Sequence, residues 1–191
     1  MKPKNAMMLM LLPLLLAGCA GVDLARYATT NPELRIEEYF LGQSRGWGMV
    51  QDRSGEVIRR FTVDIEGSKE GEEFVLREWF VWDDGENEYR EWRIRATGEY
   101  SYEGRAGDVI GVASGEVRGN ALNWRYQLKV SARGSDWVLN LDDWMFLQPD
   151  GVLLNRATMS KFGFRVGEII IAFQRMESAE ATTNQSQDRA E

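Results

Sequence analysis

Two carboxylates stand where an apolar hairpin leaves no obvious room for charge. Between Trp137 and Leu147, the side chains of Trp137, Leu139, Leu141, Met145 and Leu147 share one strand face, and Asp143 interrupts that row. Asp142 falls on the opposite face beside Trp144 and Phe146. Pro149-Asp150-Gly151 suits a type I turn closing on a left-handed glycine, so the segment from Leu153 to Gly163 returns as the partner strand. On that strand Arg156 is flanked by apolar positions, and it lies opposite Asp143 or Trp144 depending on the turn register. An ion that loses its hydration needs a partner, and either register brings a carboxylate within reach. Two readings follow: a polar anchor inside a ligand pocket, or an ion pair that pins strand register. The candidate ligand-binding residues are Asp142, Asp143, Trp144, Asn155, Arg156 and Met159, with Trp47 from an earlier strand.

The composition excludes much other chemistry. There are no histidines and a single cysteine, Cys19. Serine–histidine and cysteine–histidine nucleophile systems and imidazole metal sites therefore fall away. Asp83-Asp84-Gly85-Glu86 resembles a calcium loop only superficially, because its glycine comes third rather than sixth. Asp142 and Asp143 point to opposite faces and cannot work as a facing acid–base pair. No catalytic residue, metal site or cofactor is assigned.

The first residues read as an address. Lys2 and Lys4 precede an apolar run from Ala6 to Leu16, and the run ends in Leu16-Ala17-Gly18-Cys19. This looks like a bacterial lipoprotein box, which implies removal of residues 1–18 and lipidation of Cys19. Ala20 and Gly21 follow without an aspartate, which points to the periplasmic face of the outer membrane. Without Lys2 and Lys4, 21 basic residues face 30 acidic ones, a net charge of −9. So acidic a domain is a poor nucleic-acid binder, and the expected partners are the membrane, through the anchor, and a lipid or other hydrophobic small molecule.

The elements that must position the hairpin follow from the pattern. Residues 19–30 read as a linker, 31–176 as one domain and 177–191 as a disordered tail. Asn31-Pro32-Glu33 is a helix-start signal, and one short helix is expected within Pro32 to Leu41. From Gly46 the period becomes two. Strands are expected over Trp47–Gln51, Val57–Glu66, Phe74–Trp82, Tyr89–Ala96, Tyr100–Ala106 and Val109–Arg118. Leu122, Trp124, Tyr126, Leu128 and Val130 then share a face, the hairpin follows, and Arg165–Gln174 closes the set. About eight to ten antiparallel strands joined by tight turns, with no crossover helix, predict an all-β up-and-down barrel. The many tryptophans and tyrosines either line a cavity or fill it.

Several segments resemble a bacterial lipoprotein family catalogued as domain of unknown function 3833. They are residues Gly46 to Gly55, Arg59 to Val63, Gly119 to Tyr126, Asp142-Asp143-Trp144-Met145 and Leu154 to Gly163. The resemblance implies an envelope lipoprotein with a calycin-like fold and, because members often lie near genes for lipid-modifying methyltransferases, a lipid-related role. It supplies no catalytic residues. Gly46-Trp47 after a short helix also resembles the start of a lipocalin, in which a tryptophan closes the barrel floor.

The leading expectation is thus a lipid-anchored periplasmic barrel binding an apolar or amphipathic ligand, with Arg156 on its polar head. The alternatives are a structural or assembly lipoprotein acting through its outer surface, and a carboxylate-dependent enzyme. The last needs two carboxyl groups facing each other across a cleft about 5–10 Å wide.

Overall fold

The computed structural model describes residues 22–132 and 134–176. The signal segment, Cys19 and the expected tail lie outside the described residues. Ten antiparallel strands form a closed barrel in simple sequence order: β1 (Gly42–Asp52), β2 (Val57–Glu70), β3 (Glu73–Trp82), β4 (Asn87–Ala96), β5 (Ser101–Arg105), β6 (Val109–Arg118), β7 (Ala121–Ala132), β8 (Ser135–Leu147), β9 (Leu153–Lys161) and β10 (Phe164–Arg175). Strand β10 pairs back onto β1, so no sheet edge remains open. The all-β up-and-down barrel expected from the turn spacing is what the chain forms. At the β8–β9 turn Gly151 has φ +85, and its N–H donates to the Gln148 carbonyl at 3.0 Å, as a turn closing on a left-handed glycine requires.

Inward alternation supplies the core. Phe61, Val63 and Ile65 of β2, Trp92 and Ile94 of β4, and Leu122 and Trp124 of β7 are all buried there. Trp124 fits because two strands facing it carry glycine. A Cβ at Gly104 would lie 2.6 Å from the indole, and one at Gly115 would collide with it outright.

One end of the barrel is plugged by α1, a single turn spanning Ile36–Tyr39. Ile36 and Phe40 face inward, and the Tyr39 hydroxyl donates to the carbonyls of Phe173 (3.0 Å) and Gly151 (3.1 Å). The helix begins later than its apparent start signal. Asn31 and Pro32 lie in a bend, and Arg35, in extended conformation, is the cap. Tertiary pairing overrides the local signal: the Leu34 N–H donates to the Gly119 carbonyl at 2.8 Å and its side chain is buried, which holds the preceding residues extended.

The stretch expected as a free linker is also docked from Leu24 onward. A 3-10 turn, Leu24–Tyr27, sets the Tyr27 ring 5.3 Å from Phe146 and 6.3 Å from Trp144 on the outer wall. Thr30 hydrogen-bonds Asn120. Partial burial of these rings against one another outweighs the polar character of the segment.

Candidate functional site

The barrel interior is hollow above the α1 plug. A cavity of about 550 Å³ runs from Ile36 and Phe40 at its floor to Arg59, Glu86, Lys129 and Ser131 at its rim. Most of its wall is apolar or aromatic, as the two-residue period dictates. A belt of polar groups crosses it halfway up.

The belt has two parts. On one side Glu78 of β3 and Arg90 of β4 are directly paired across strands, with 3.8 Å between nitrogen and oxygen. Arg90 also reaches Asp108 at 2.7 Å and Glu88 at 3.2 Å, and its guanidinium lies 5.3 Å from the Phe80 ring centre. Asp108 arrives from the β5–β6 turn, which is held by the Lys129 N–H donating to the Asp108 carbonyl at 2.8 Å. One guanidinium thus serves three carboxylates.

On the other side Asp143 faces in from β8, opposite Trp124 on β7 and Ala157 on β9. The Asn155 amide donates to its carboxyl and to the Trp144 carbonyl, the latter at 3.3 Å. Both Asp143 and Asn155 are buried. No cation among the described residues lies within ion-pair distance of Asp143.

Burial governs the protonation of these groups. It pushes the Asp143 carboxyl up to about 7, against the opposing pull of the Asn155 hydrogen bond. Burial likewise pushes Glu78 up to about 7, against Arg90. For Arg90 burial acts downward, but Glu78 and Asp108 overcome it and the net shift is upward. Tyr126, whose hydroxyl is buried nearby, is raised by burial and then by the negative charge of Asp143.

The residues singled out from sequence divide by strand face. Asp143, Asn155 and Met159 line the cavity. Asp142, Trp144, Arg156 and Trp47 do not, so the expectation that Arg156 holds a buried polar head is corrected. The register places Arg156 opposite Trp144 rather than Asp143, on the outer face. There it is exposed and lies 3.5 Å from Glu168. Asp142 is also outside, paired with Arg125 at 3.2 Å and accepting from Asn123 at 2.7 Å. Trp144 stacks on Phe146 beneath Tyr27.

Trp47 is exposed on the outer wall and does not close the floor. Its neighbours Gly46 and Gly48 take the inward positions because the Phe173 and Phe61 rings press against them there. The floor is closed by Ile36 and Phe40 instead.

Sequence reasoning missed Glu78 and Arg90, yet the signal was the same as for Asp143. Phe74, Leu76, Phe80 and Trp82 share the inward row of β3, and Glu78 is the charge within it. Arg90 sits likewise in the row of Trp92 and Ile94.

Among solved structures, the S-type phycobiliprotein lyase CPES from Guillardia theta is similar, with a TM-score of 0.54 at 9% identity over 74% of this chain and 91% of that one. At that identity the likeness speaks for the fold, a lipocalin-like barrel, and for nothing finer. No curated protein matches the chain. A model of the family described as protein of unknown function (DUF3833) matches residues 13–175, and the chain belongs to that family.

Proposed function

We propose that the barrel binds a small apolar or amphipathic molecule in its interior. The supporting observation is the cavity itself: about 550 Å³, opening at the end away from α1 and lined mainly by apolar side chains around a few convergent polar ones. A barrel of this form also serves a phycobiliprotein lyase, which agrees with a ligand-holding interior. Nile red, a neutral apolar dye, tests the reading. Its emission should rise and shift to the blue with the native protein, and the gain should fall in Leu139→Trp, whose larger indole narrows the cavity near the rim. Unchanged emission with the native protein contradicts the reading.

Anchoring at Cys19 in the bacterial envelope, on the periplasmic face of the outer membrane, is part of the same proposal. Its support is Leu16-Ala17-Gly18-Cys19 behind an apolar run. Cells expressing the chain should incorporate labelled palmitate into it, and Cys19→Ser should abolish the label.

A second reading, assembly through protein contacts, draws on one surface feature. Phe162 and Phe164 at the β9–β10 turn are 86% and 78% exposed, and the Lys161 ammonium lies 3.5 Å from the Trp137 ring centre beside them. A photo-crosslinker at position 162 that captures no protein in cells counts against it.

A further inference from the structure

The polar belt has the wrong sign for an acyl anion. Arg59, Glu86 and Lys129 line the rim, and below it the groups able to carry charge are Glu78, Glu88, Arg90, Asp108 and Asp143, four acids against one base. The base is already committed, since Arg90 lies 2.7 Å from Asp108, 3.2 Å from Glu88 and 3.8 Å from Glu78. Arg59 and Lys129, at the rim, are engaged with Asp84 and Glu86 and with Asp136. A carboxylate or phosphate brought inside would meet no free cation and several negative neighbours.

Asp143 is the opposite case. It is 6% exposed and faces the cavity, and no cation among the described residues approaches within ion-pair distance. Aromatic walls stand beside it. Trp124 is its cross-strand neighbour, and the Trp92 ring meets Trp124 edge-on at 5.7 Å and Tyr126 at 5.4 Å. Indole and phenol faces attract cations through their quadrupoles, and a desolvated site strengthens that attraction. A buried carboxyl on β8 and three aromatic rings on β4 and β7 therefore favour the same class of guest.

We propose that the cavity takes an amphipathic cation, an alkyl amine or quaternary ammonium whose charged nitrogen sits between Asp143 and the rings of Trp124 and Tyr126. Its apolar part occupies the remaining aliphatic wall formed by Leu128, Leu139, Met159 and Ile169. The inference rests on the interior being a ligand site and adds the charge of the ligand.

Three probes with one tail separate the two claims: decyltrimethylammonium, decanol and decanoate. They are titrated calorimetrically, below their micelle concentrations, into the whole chain downstream of residue 18 carrying Cys19→Ser. The ammonium should bind at least about tenfold more tightly than decanol, and decanoate more weakly than both. Asp143→Asn should erase about tenfold of the ammonium affinity and spare decanol. Glu72→Gln, the same change of charge at an exposed turn, should alter neither.

Decanol or decanoate binding as tightly as the ammonium overturns the charge assignment while leaving the ligand site intact. Failure of all three to bind removes the ligand site itself. An ammonium preference that survives Asp143→Asn assigns it to surface charge and also overturns the proposal. Should that variant not fold, native protein titrated at about pH 5.5 and about pH 8.5 decides the matter. The ammonium should bind more weakly at the lower pH, where Asp143 and Glu78 hold their protons; the same weakening in Glu78→Gln assigns it to Asp143, and equal affinity at the two pH values in that variant overturns the proposal.

Discussion

Glu78 and Arg90 face each other across β3 and β4 with both side chains turned into the barrel, 3.8 Å apart, and Arg90 is shared with Asp108 and Glu88. The relationship is unequal. Glu78 is pushed up to about 7 and can shed its charge by taking a proton, whereas Arg90 cannot lose its own.

That inequality predicts unequal substitutions. Arg90→Met leaves three carboxylates without their cation and should destabilise the barrel by about 3–5 kcal/mol. Glu78→Gln keeps the shape and removes a group already near neutrality, so its cost should stay below about 1.5 kcal/mol. Urea unfolding monitored by tryptophan fluorescence compares them, and equal losses would contradict this reading of the pair.

The pH dependence has a fixed sign. Glu78 and Asp143 are raised from 4.5 and 3.8 to about 7, so the folded state holds protons that the unfolded chain has released. The stability they contribute is fully present below the lower values and is lost as pH rises through about 7. Between about pH 4 and pH 7 the native barrel should therefore lose stability relative to Asp143→Asn, at up to about 1.4 kcal/mol per pH unit for that one proton, and the difference should level off above that. Parallel curves for the two proteins would show that Asp143 titrates normally.

Gly115→Ala probes the seat of Trp124. The added Cβ would meet the indole with no room to spare, and overpacking of this kind costs about 1–3 kcal/mol. Thermal melting should show the loss, and an unchanged midpoint would mean the ring can shift freely.

Arg156→Ala serves as the outer-face counterpart. The Arg156 side chain is 65% exposed and its pairing with Glu168 is solvent-screened, so the change should cost less than about 1 kcal/mol. Nile red binding should stay as it is in the native protein. A marked loss of binding would return Arg156 to the interior.

The barrel was legible because two signals repeat along the whole chain: period-two burial and glycine-marked turns. Asp143 was legible for the same reason, since a charge inside an apolar row stands out on inspection. Arg156 was misread because its position depends on register. A one-residue change in pairing exchanges inside for outside, and the turn left open whether Asp143 or Trp144 would face it. Trp47 was misread by analogy, whereas the inward demand for glycine against Phe61 and Phe173 was written in Gly46 and Gly48 on either side. The convergence of Asp108 on Arg90 was not legible, because it joins a turn to a strand 18 residues earlier and needs the closed barrel to bring them together.

The central claim is that the barrel is hollow and its hollow is used. Native mass spectrometry of the chain downstream of residue 18 carrying Cys19→Ser, purified without detergent from the cells that make it, addresses this directly. The account predicts a second population heavier by one small molecule, which organic extraction removes and Leu139→Trp diminishes. A single peak at the mass of the bare chain, together with no binding of Nile red or of any decyl probe, would contradict it.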